Sequence, residues 1–352
     1  MRARIVQLSG GEDDREKLRE AGRILREGGL VAFPTETVYG LGGNALDPSS
    51  SRKIYAAKGR PSDNPLIVHI ADISSLKKIA ARVPDAASRL ADACWPGPLT
   101  MIFPKKECVP FETTGGLDSV AVRFPDHPSA CGLIQEAGGF VAAPSANTSG
   151  RPSPTCAAHV AEDLGDRIDM ILDGGPVKIG LESTIVDFTG DVPMILRPGW
   201  LSQEMISQIL GDVRMDPGLM KDDPSVRPKA PGMRYRHYAP KARLIIVEGP
   251  PDEVKKRIRE LVHTGLLEGR KAGIICTQES LGQYREGNVR CIGSLADEET
   301  IAHNLYGILR DFDADGTELI YSEAYYTPQL GQAIMNRLIR AAGHSVIYTG
   351  NT

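Results

Sequence analysis

The sequence predicts an α/β protein of two domains, and three observations carry that prediction. The chain has 352 residues, more than one domain of ordinary size holds. Short apolar runs alternate with segments of helical period, joined by turns rich in Gly and Pro. The texture then breaks once: Met215–Arg243 carries five prolines, no sustained apolar period and a basic stretch through Arg227, Lys229, Arg234, Arg236, Lys241 and Arg243. The expected division is a first domain over 1–212, a linker over 213–243 and a second domain over 244–352.

Taken in order, Leu18, Ala21, Ile24 and Leu25 recur at helical spacing, and Gly28-Gly29 stops that helix. Leu30–Phe33 is a short apolar strand. It runs into Pro34-Thr35-Glu36-Thr37-Val38-Tyr39-Gly40-Leu41-Gly42-Gly43, a stretch too rich in glycine and polar groups to belong to a core. Ser49–Ala57 reads as helix, broken by Lys58-Gly59-Arg60-Pro61. Strands are expected at Pro65–Ile70, Leu99–Phe103 and Val120–Phe124, then a helix over Pro128–Ala137 and a strand at Phe140–Ala142. Beyond the linker come strand Leu244–Val247, an amphipathic helix from Asp252 to Leu267 and strand Ala272–Cys276. A helix over Thr300–Phe312, strand Leu319–Tyr321 and a helix near Leu330–Ala342 complete an order β-α-β-β-α-β-α, which fits a small Rossmann-like parallel sheet.

Composition narrows the function classes. Lys and Arg number 41 against 45 Asp and Glu, a net charge of -4, which argues against a tail-driven nucleic-acid binder. The six cysteines contain no C-x-x-C pair, so neither a zinc ribbon nor a dense disulfide framework is expected. The first residues lack the apolar core of a signal peptide, and no run approaches the roughly 18 apolar residues of a membrane span. A cytoplasmic protein with reduced thiols is the expectation. Phosphate-loop, dinucleotide-loop, H-E-x-x-H and G-x-S-x-G patterns are all missing from the sequence.

What remains are single cations and small polar groups beside Gly or Pro. Lys58 and Arg60 flank Gly59, and Arg123 ends a strand. Ser145, Asn147, Thr148, Ser149 and Ser153 crowd one loop, Ser183 and Thr184 precede a strand, and Arg197 is followed by Pro198-Gly199. Strand-end loops are where α/β folds place ligands, and Arg or Lys with backbone N–H groups suits phosphate or carboxylate. The chemistry is that of binding a compact polyanion with no covalent nucleophile. Solvated cations beside ordinary turns account for the same residues equally well, and spacing alone does not choose.

The motifs themselves go further. Pro34–Leu41, Lys58-Gly59-Arg60-Pro61, Asn64-Pro65-Leu66-Ile67-Val68-His69 and Trp95-Pro96-Gly97-Pro98-Leu99-Thr100 resemble the Sua5/YrdC/YwlC family, the threonylcarbamoyl-AMP synthases. So do Val120-Ala121-Val122-Arg123-Phe124-Pro125, Ala143–Gly150, Asp173-Gly174-Gly175, Glu182–Asp187 and Leu196-Arg197-Pro198-Gly199, all in family order. Pro231–Pro240 and Gly331–Leu338 resemble the linker and tail of the longer, Sua5-type branch.

The resemblance implies a twisted mixed sheet with helices around a concave basic cavity, followed by the smaller Rossmann-like domain. It implies a reaction of L-threonine, bicarbonate and ATP that gives L-threonylcarbamoyladenylate and pyrophosphate. That product serves the N6-threonylcarbamoyl modification of adenosine 37 in tRNA, completed by a separate transferase, so tRNA itself is met weakly or indirectly. Mg²⁺ is expected to arrive on the ATP phosphates, with no dedicated protein metal site.

Carried over by position, Thr37, His69, Arg123 and Ser183 fall on the threonine site. Arg60, Asn64, Ser119, Ser145, Asn147, Ser153, Arg197, Arg234 and Tyr235 fall on the ATP site, with Lys58 and Arg60 neutralising the reacting carbamate and phosphate. Most family members have Thr where this chain has Ser119; the hydroxyl is kept. Arg234, Tyr235 and Tyr238 are expected to fold over the cavity as a lid. The alternatives are an RNA-binding module of the same fold without ATP turnover, and a carbamoyl-adenylate former of the hydrogenase-maturation type. The latter's C-x-x-C zinc fingers are missing from the sequence.

Overall fold

The computed structural model describes residues 2–11, 13–220 and 238–350. They form two compact units, Met1–Ser149 with Ser153–Tyr235, and Gly150–Pro152 with Arg236–Thr352.

The strands of the first unit are β1 (Arg4–Gln7), β2 (Val31–Phe33), β3 (Gly40–Asn44), β4 (Ile67–His69), β5 (Leu99–Pro104), β6 (Ser119–Arg123), β7 (Val141–Ala142), β8 (Met170–Asp173), β9 (Thr184–Asp187), β10 (Met194–Arg197) and β11 (Arg214–Met215). They make one sheet in the order β1-β8-β2-β3-β7-β4-β6-β5-β9-β10-β11. Pairing is mixed: β4 runs parallel to β6, whereas β5 opposes β6 and β7 opposes β4. The helices are α1 (Asp14–Arg26), α2 (Pro48–Lys58), α3 (Leu76–Ile79), α4 (Asp85–Cys94), α5 (Pro128–Glu136), α6 (Ala157–Leu164) and α7 (Gln203–Leu210).

Strand alternation divides the helices between two faces. Ala32, Leu41, Val68, Met101, Val122 and Val186 share the main core with side chains from α2, α3, α4, α6 and α7. Val31, Phe33, Val141, Met170 and Leu172 pack instead against Ala21 and Leu25 of α1 and Ala130, Leu133 and Ile134 of α5. On that second face α1 and α5 cover only the β8-β2-β3-β7 half. Where β4, β6, β5, β9 and β10 continue the sheet, a small apolar floor of Ile67, Ile102, Ala121, Ile185 and Leu196 remains.

The reading of Pro34–Gly43 as lying outside the core is overturned: every residue from Val31 to Gly43 is buried, and Gly40–Asn44 is strand β3. Glycine permits the close packing. A Cβ on Gly42 would stand 3.0 Å from Val141 Cγ1 and 3.1 Å from Phe33 Cε1. The two threonines are paired locally, with Thr35 Oγ1 donating to Val38 O at 2.7 Å and 2.9 Å from Thr37 Oγ1. Gly59 does end α2 as expected, in the left-handed conformation (φ 61°) that spares an L side chain.

The second unit holds β12 (Arg243–Glu248), α8 (Pro251–Leu267), β13 (Ala272–Thr277), β14 (Asn288–Gly293), α9 (Glu298–Ala314), β15 (Leu319–Glu323), α10 (Gly331–Ala341) and β16 (Val346–Tyr348). All pairings are parallel, in the order β14-β13-β15-β12-β16. Ile245, Val247, Ile274 and Tyr321 pack on Val254, Ile258 and Val262 of α8. The alternate residues Leu244, Ile246, Ile275 and Ile320 are buried too, so both faces are covered, as parallel sheets require. The chain order β-α-β-β-α-β-α read from the sequence is present, with β16 added at the end and β15 standing between β13 and β12 in the sheet. Among the described residues no helix is long and apolar enough to cross a membrane.

Candidate functional site

A single row of residues crosses the half of the sheet that α1 and α5 do not cover. His69 of β4 lies opposite Arg123 of β6, Arg123 opposite Thr100 of β5, Thr100 opposite Ile185 of β9, and Ile185 opposite Arg197 of β10. Residues opposite one another in regular register present their side chains on the same face; β10 is irregular between Ile195 and Arg197, and there a hydrogen bond to Ser183, itself bonded to Thr100, ties Arg197 to the row. Two guanidinium groups, an imidazole and a hydroxyl thus share one face above the apolar floor, and all four residues are buried.

Hydrogen bonds link this row to the loop before β9. Thr100 Oγ1 and Ser183 Oγ are 2.8 Å apart, and Arg197 Nη2 donates to Ser183 Oγ at 3.1 Å and to its carbonyl at 3.0 Å. His69 Nδ1 lies 3.1 Å from Ile67 O, and its ring meets Phe33 edge-on. Burial, with repulsion from Arg123 added, pushes its pKa down to about 3, so the imidazole is neutral at physiological pH.

Arg123 faces Glu36, with Nη2 to Oε2 at 2.7 Å; their side chains are only 5 % and 7 % exposed. The approach is close but misaligned, and Glu36 Oε1, Glu36 Oε2, Arg123 Nε and Arg123 Nη2 all lack a hydrogen-bond partner. The backbone of this segment is pinned by Ile179 N to Glu36 O (2.8 Å) and Gly180 N to Thr37 O (3.0 Å). Thr37 Oγ1 sits 2.9 Å from Thr35 Oγ1, fully buried.

The remaining sequence-derived residues hold loops. Lys58 is buried and its Nζ donates to Ser145 O and Asn147 O, each at 2.5 Å. Ser145 Oγ in turn bonds Asn147 Oδ1 at 2.6 Å, and Ser145 bridges to Gly40 at the start of β3. Arg60 donates from Nε to Asn64 O (3.2 Å) and from Nη2 to Pro65 O (3.1 Å), while Asn64 Oδ1 is buried without a hydrogen-bond partner. Ser153 Oγ donates to Glu182 Oε1 at 2.5 Å.

The structure therefore brings His69, Arg123 and Arg197 into one row, with Ser183 bonded to it and Thr37 one residue beyond the Glu36 that meets Arg123. Ser145 and Asn147 are tied to Lys58. Ser119 is set apart: it opens β6 four residues before Arg123, about 13 Å away at the rise of an extended strand. Arg234 and Tyr235 lie outside the described residues, as does most of the expected lid. Tyr238, its described member, has φ 64° and packs its ring 5.2 Å from that of Tyr306 within the second unit.

Reading from residue types missed Glu36, Thr100 and Glu182. Each stands inside a quoted motif, and Thr100 also breaks an apolar strand, a signal that could have found it. Among the described residues no group of three or more His, Cys, Asp or Glu is placed to hold a metal ion.

A mixed sheet that carries two buried guanidinium groups in one row, with orphaned polar atoms where Glu36 meets Arg123, is an α/β arrangement suited to compact charged ligands. Residues 23–199 match the Sua5/YciO/YrdC family model, described as telomere recombination. Residues 201–343 match the model described as threonylcarbamoyl-AMP synthase, C-terminal domain. The threonylcarbamoyl-AMP synthase of Pyrococcus abyssi is 49 % identical over 94 % of this chain and 95 % of its own length. That of Bacillus subtilis is 48 % identical over 94 % of both. The crystal structure of P. abyssi Sua5 complexed with L-threonine superposes with a TM-score of 0.92 at 46 % identity, covering 99 % of this chain and all of the other. The chain belongs to the threonylcarbamoyl-AMP synthase family.

Proposed function

We propose that this protein is an L-threonylcarbamoyladenylate synthase, a nucleotidyltransferase that converts L-threonine, bicarbonate and MgATP into threonylcarbamoyl-AMP and pyrophosphate. The observation that carries the reading is the buried row His69–Arg123–Thr100–Arg197, assembled from four strands far apart in sequence. It is present in a chain whose relatives over nearly full length are named for this activity.

The reaction brings anions together. Threonine amine attacks bicarbonate and water leaves, giving a carbamate whose carboxylate attacks the α-phosphorus of ATP and expels pyrophosphate. Charge develops on phosphoryl oxygens, and donors already fixed in a water-poor site stabilise it without reorganising. Arg123 takes the threonine carboxylate, and neutral His69 and Thr37 offer polar contacts to the same substrate without adding charge. Lys58 and Arg60 face the carbamate and phosphate, and Arg197 with Asn64, Ser145, Asn147 and Ser153 serves the nucleotide. Ser119, at the far end of β6, suits the distal part of so extended a ligand. Mg²⁺ enters as part of the MgATP substrate.

The labile product is passed to a separate transferase that modifies tRNA. A cytoplasmic setting fits, since ATP and tRNA are there and the six cysteines are free. The test is mass spectrometry after incubation with MgATP, bicarbonate and isotopically labelled threonine. Labelled threonylcarbamoyl-AMP and pyrophosphate are expected in equal amounts; salt-dependent RNA affinity without ATP turnover would overturn the assignment.

A further inference from the structure

We infer that Glu36 and Arg123 together form a receptor for the zwitterion of the amino-acid substrate, Arg123 taking the α-carboxylate and Glu36 the α-ammonium. The inference rests on the functional reading above and adds a residue to it.

Four polar atoms of this pair are buried without a hydrogen-bond partner. A buried ion pair offsets its desolvation only when its geometry is good and its remaining lone pairs and protons are satisfied. Neither holds here: the 2.7 Å contact between Nη2 and Oε2 is misaligned, and both Glu36 oxygens are unsatisfied. Folded proteins rarely leave such groups unpaired, and a cluster of them calls for a specific explanation.

A zwitterion supplies what is missing. Free Glu36 and Arg123 sum to zero charge, and so does the ligand, so exchanging one poor contact for two good ones leaves the buried charge balanced. Nearby groups keep that balance. His69 is held neutral by burial, and burial also lowers the pKa of His127, against the pull of Glu36. Glu36 is pinned in place through its backbone by Ile179, so its carboxylate is presented rather than loose.

Selectivity follows. A lone guanidinium accepts any small carboxylate, whereas a buried carboxylate beside it penalises ligands that bring no cation, because it stays unpaired in their presence. Glu36 is thus the specificity-determining residue for an amino acid over a hydroxy acid.

Titration calorimetry of the full chain tests this, using L-threonine and (2S,3R)-2,3-dihydroxybutanoate, in which a hydroxyl replaces the ammonium. Wild type should prefer threonine by about 10- to 100-fold, the worth of a hydrogen bond to a charged group. Glu36→Gln should weaken threonine by a similar factor and erase the preference, with MgATP affinity unchanged. Glu36→Asp, which keeps the charge, should bind more weakly yet retain the preference. The double variant Arg123→Gln/Glu36→Gln, free of buried charge at this pair, should bind neither ligand while melting cooperatively at or above the single variants, which separates loss of the receptor from a folding defect. Wild-type threonine affinity in Glu36→Gln, or loss of the preference in Glu36→Asp, overturns the role of Glu36 while leaving the enzyme assignment intact. A wild-type chain that binds no threonine overturns both.

Discussion

At the scale of single residues, the chemistry rests on charges kept away from water. Replacing Arg123 with Ala should abolish threonine-dependent pyrophosphate release at physiological threonine, with a rate loss on the order of 10²–10³. It also strands Glu36, and breaking a buried pair costs about 3–5 kcal/mol, so thermal unfolding of this variant should move down as well. His69 gives a pH signature. Unfolded, its imidazole takes a proton near its ordinary value of 6.5; folded, it refuses one until about 3. Between those values the unfolded state binds more protons, so stability contributed by the neutral ring falls as pH falls. Urea unfolding should therefore show a shallower acid loss in His69→Gln than in wild type from pH 6.5 downward; parallel curves would deny the shift. These residues were legible to unequal degrees. Arg and Ser beside Gly or Pro stand out in a sequence, but Glu36 does not, because burial of a carboxylate is a tertiary fact that one letter in a polar stretch conceals.

At the scale of elements, β3 shows how a strand can hide. Strand signals are β-branched and aromatic residues in alternation, and Gly40-Leu41-Gly42-Gly43 offers one apolar side chain. Its glycines exist for the neighbours' sake, Gly40 and Gly42 admitting Phe33 and Val141, and Gly43 admitting Ile54. Gly42→Ala should accordingly destabilise the protein by about 1–3 kcal/mol through overpacking, read as a lower denaturation midpoint with an unchanged slope. The strands that were legible, such as β5 and β6, are longer apolar runs. β1, β8, β10 and β16, three or four residues each, are not read from the sequence although β2, β4 and β7, which are no longer, are, so length alone does not decide. In the second unit the regular βα alternation of a parallel sheet makes the order readable even where a strand could not be placed.

At the scale of the whole molecule, the loop that carries Ser145, Asn147 and Ser153 is divided between the two units. Its middle, Gly150–Pro152, is part of the second unit, where Ala239 N donates to Gly150 O at 2.8 Å and Arg310 Nη2 to Pro152 O at 2.6 Å. On the nucleotide role proposed for that loop, Arg310→Leu should disturb it through the chain itself, raising KM for ATP several-fold while leaving threonine affinity alone. Equal changes in both would place the effect elsewhere. The same three residues bear on how this gene can be cut. The polypeptide passes from one unit to the other three times, so no single stop codon separates them. A fragment ending at 235 keeps a short splice shaped for surroundings it has lost, and dissecting the protein calls for a redesigned loop rather than a truncation.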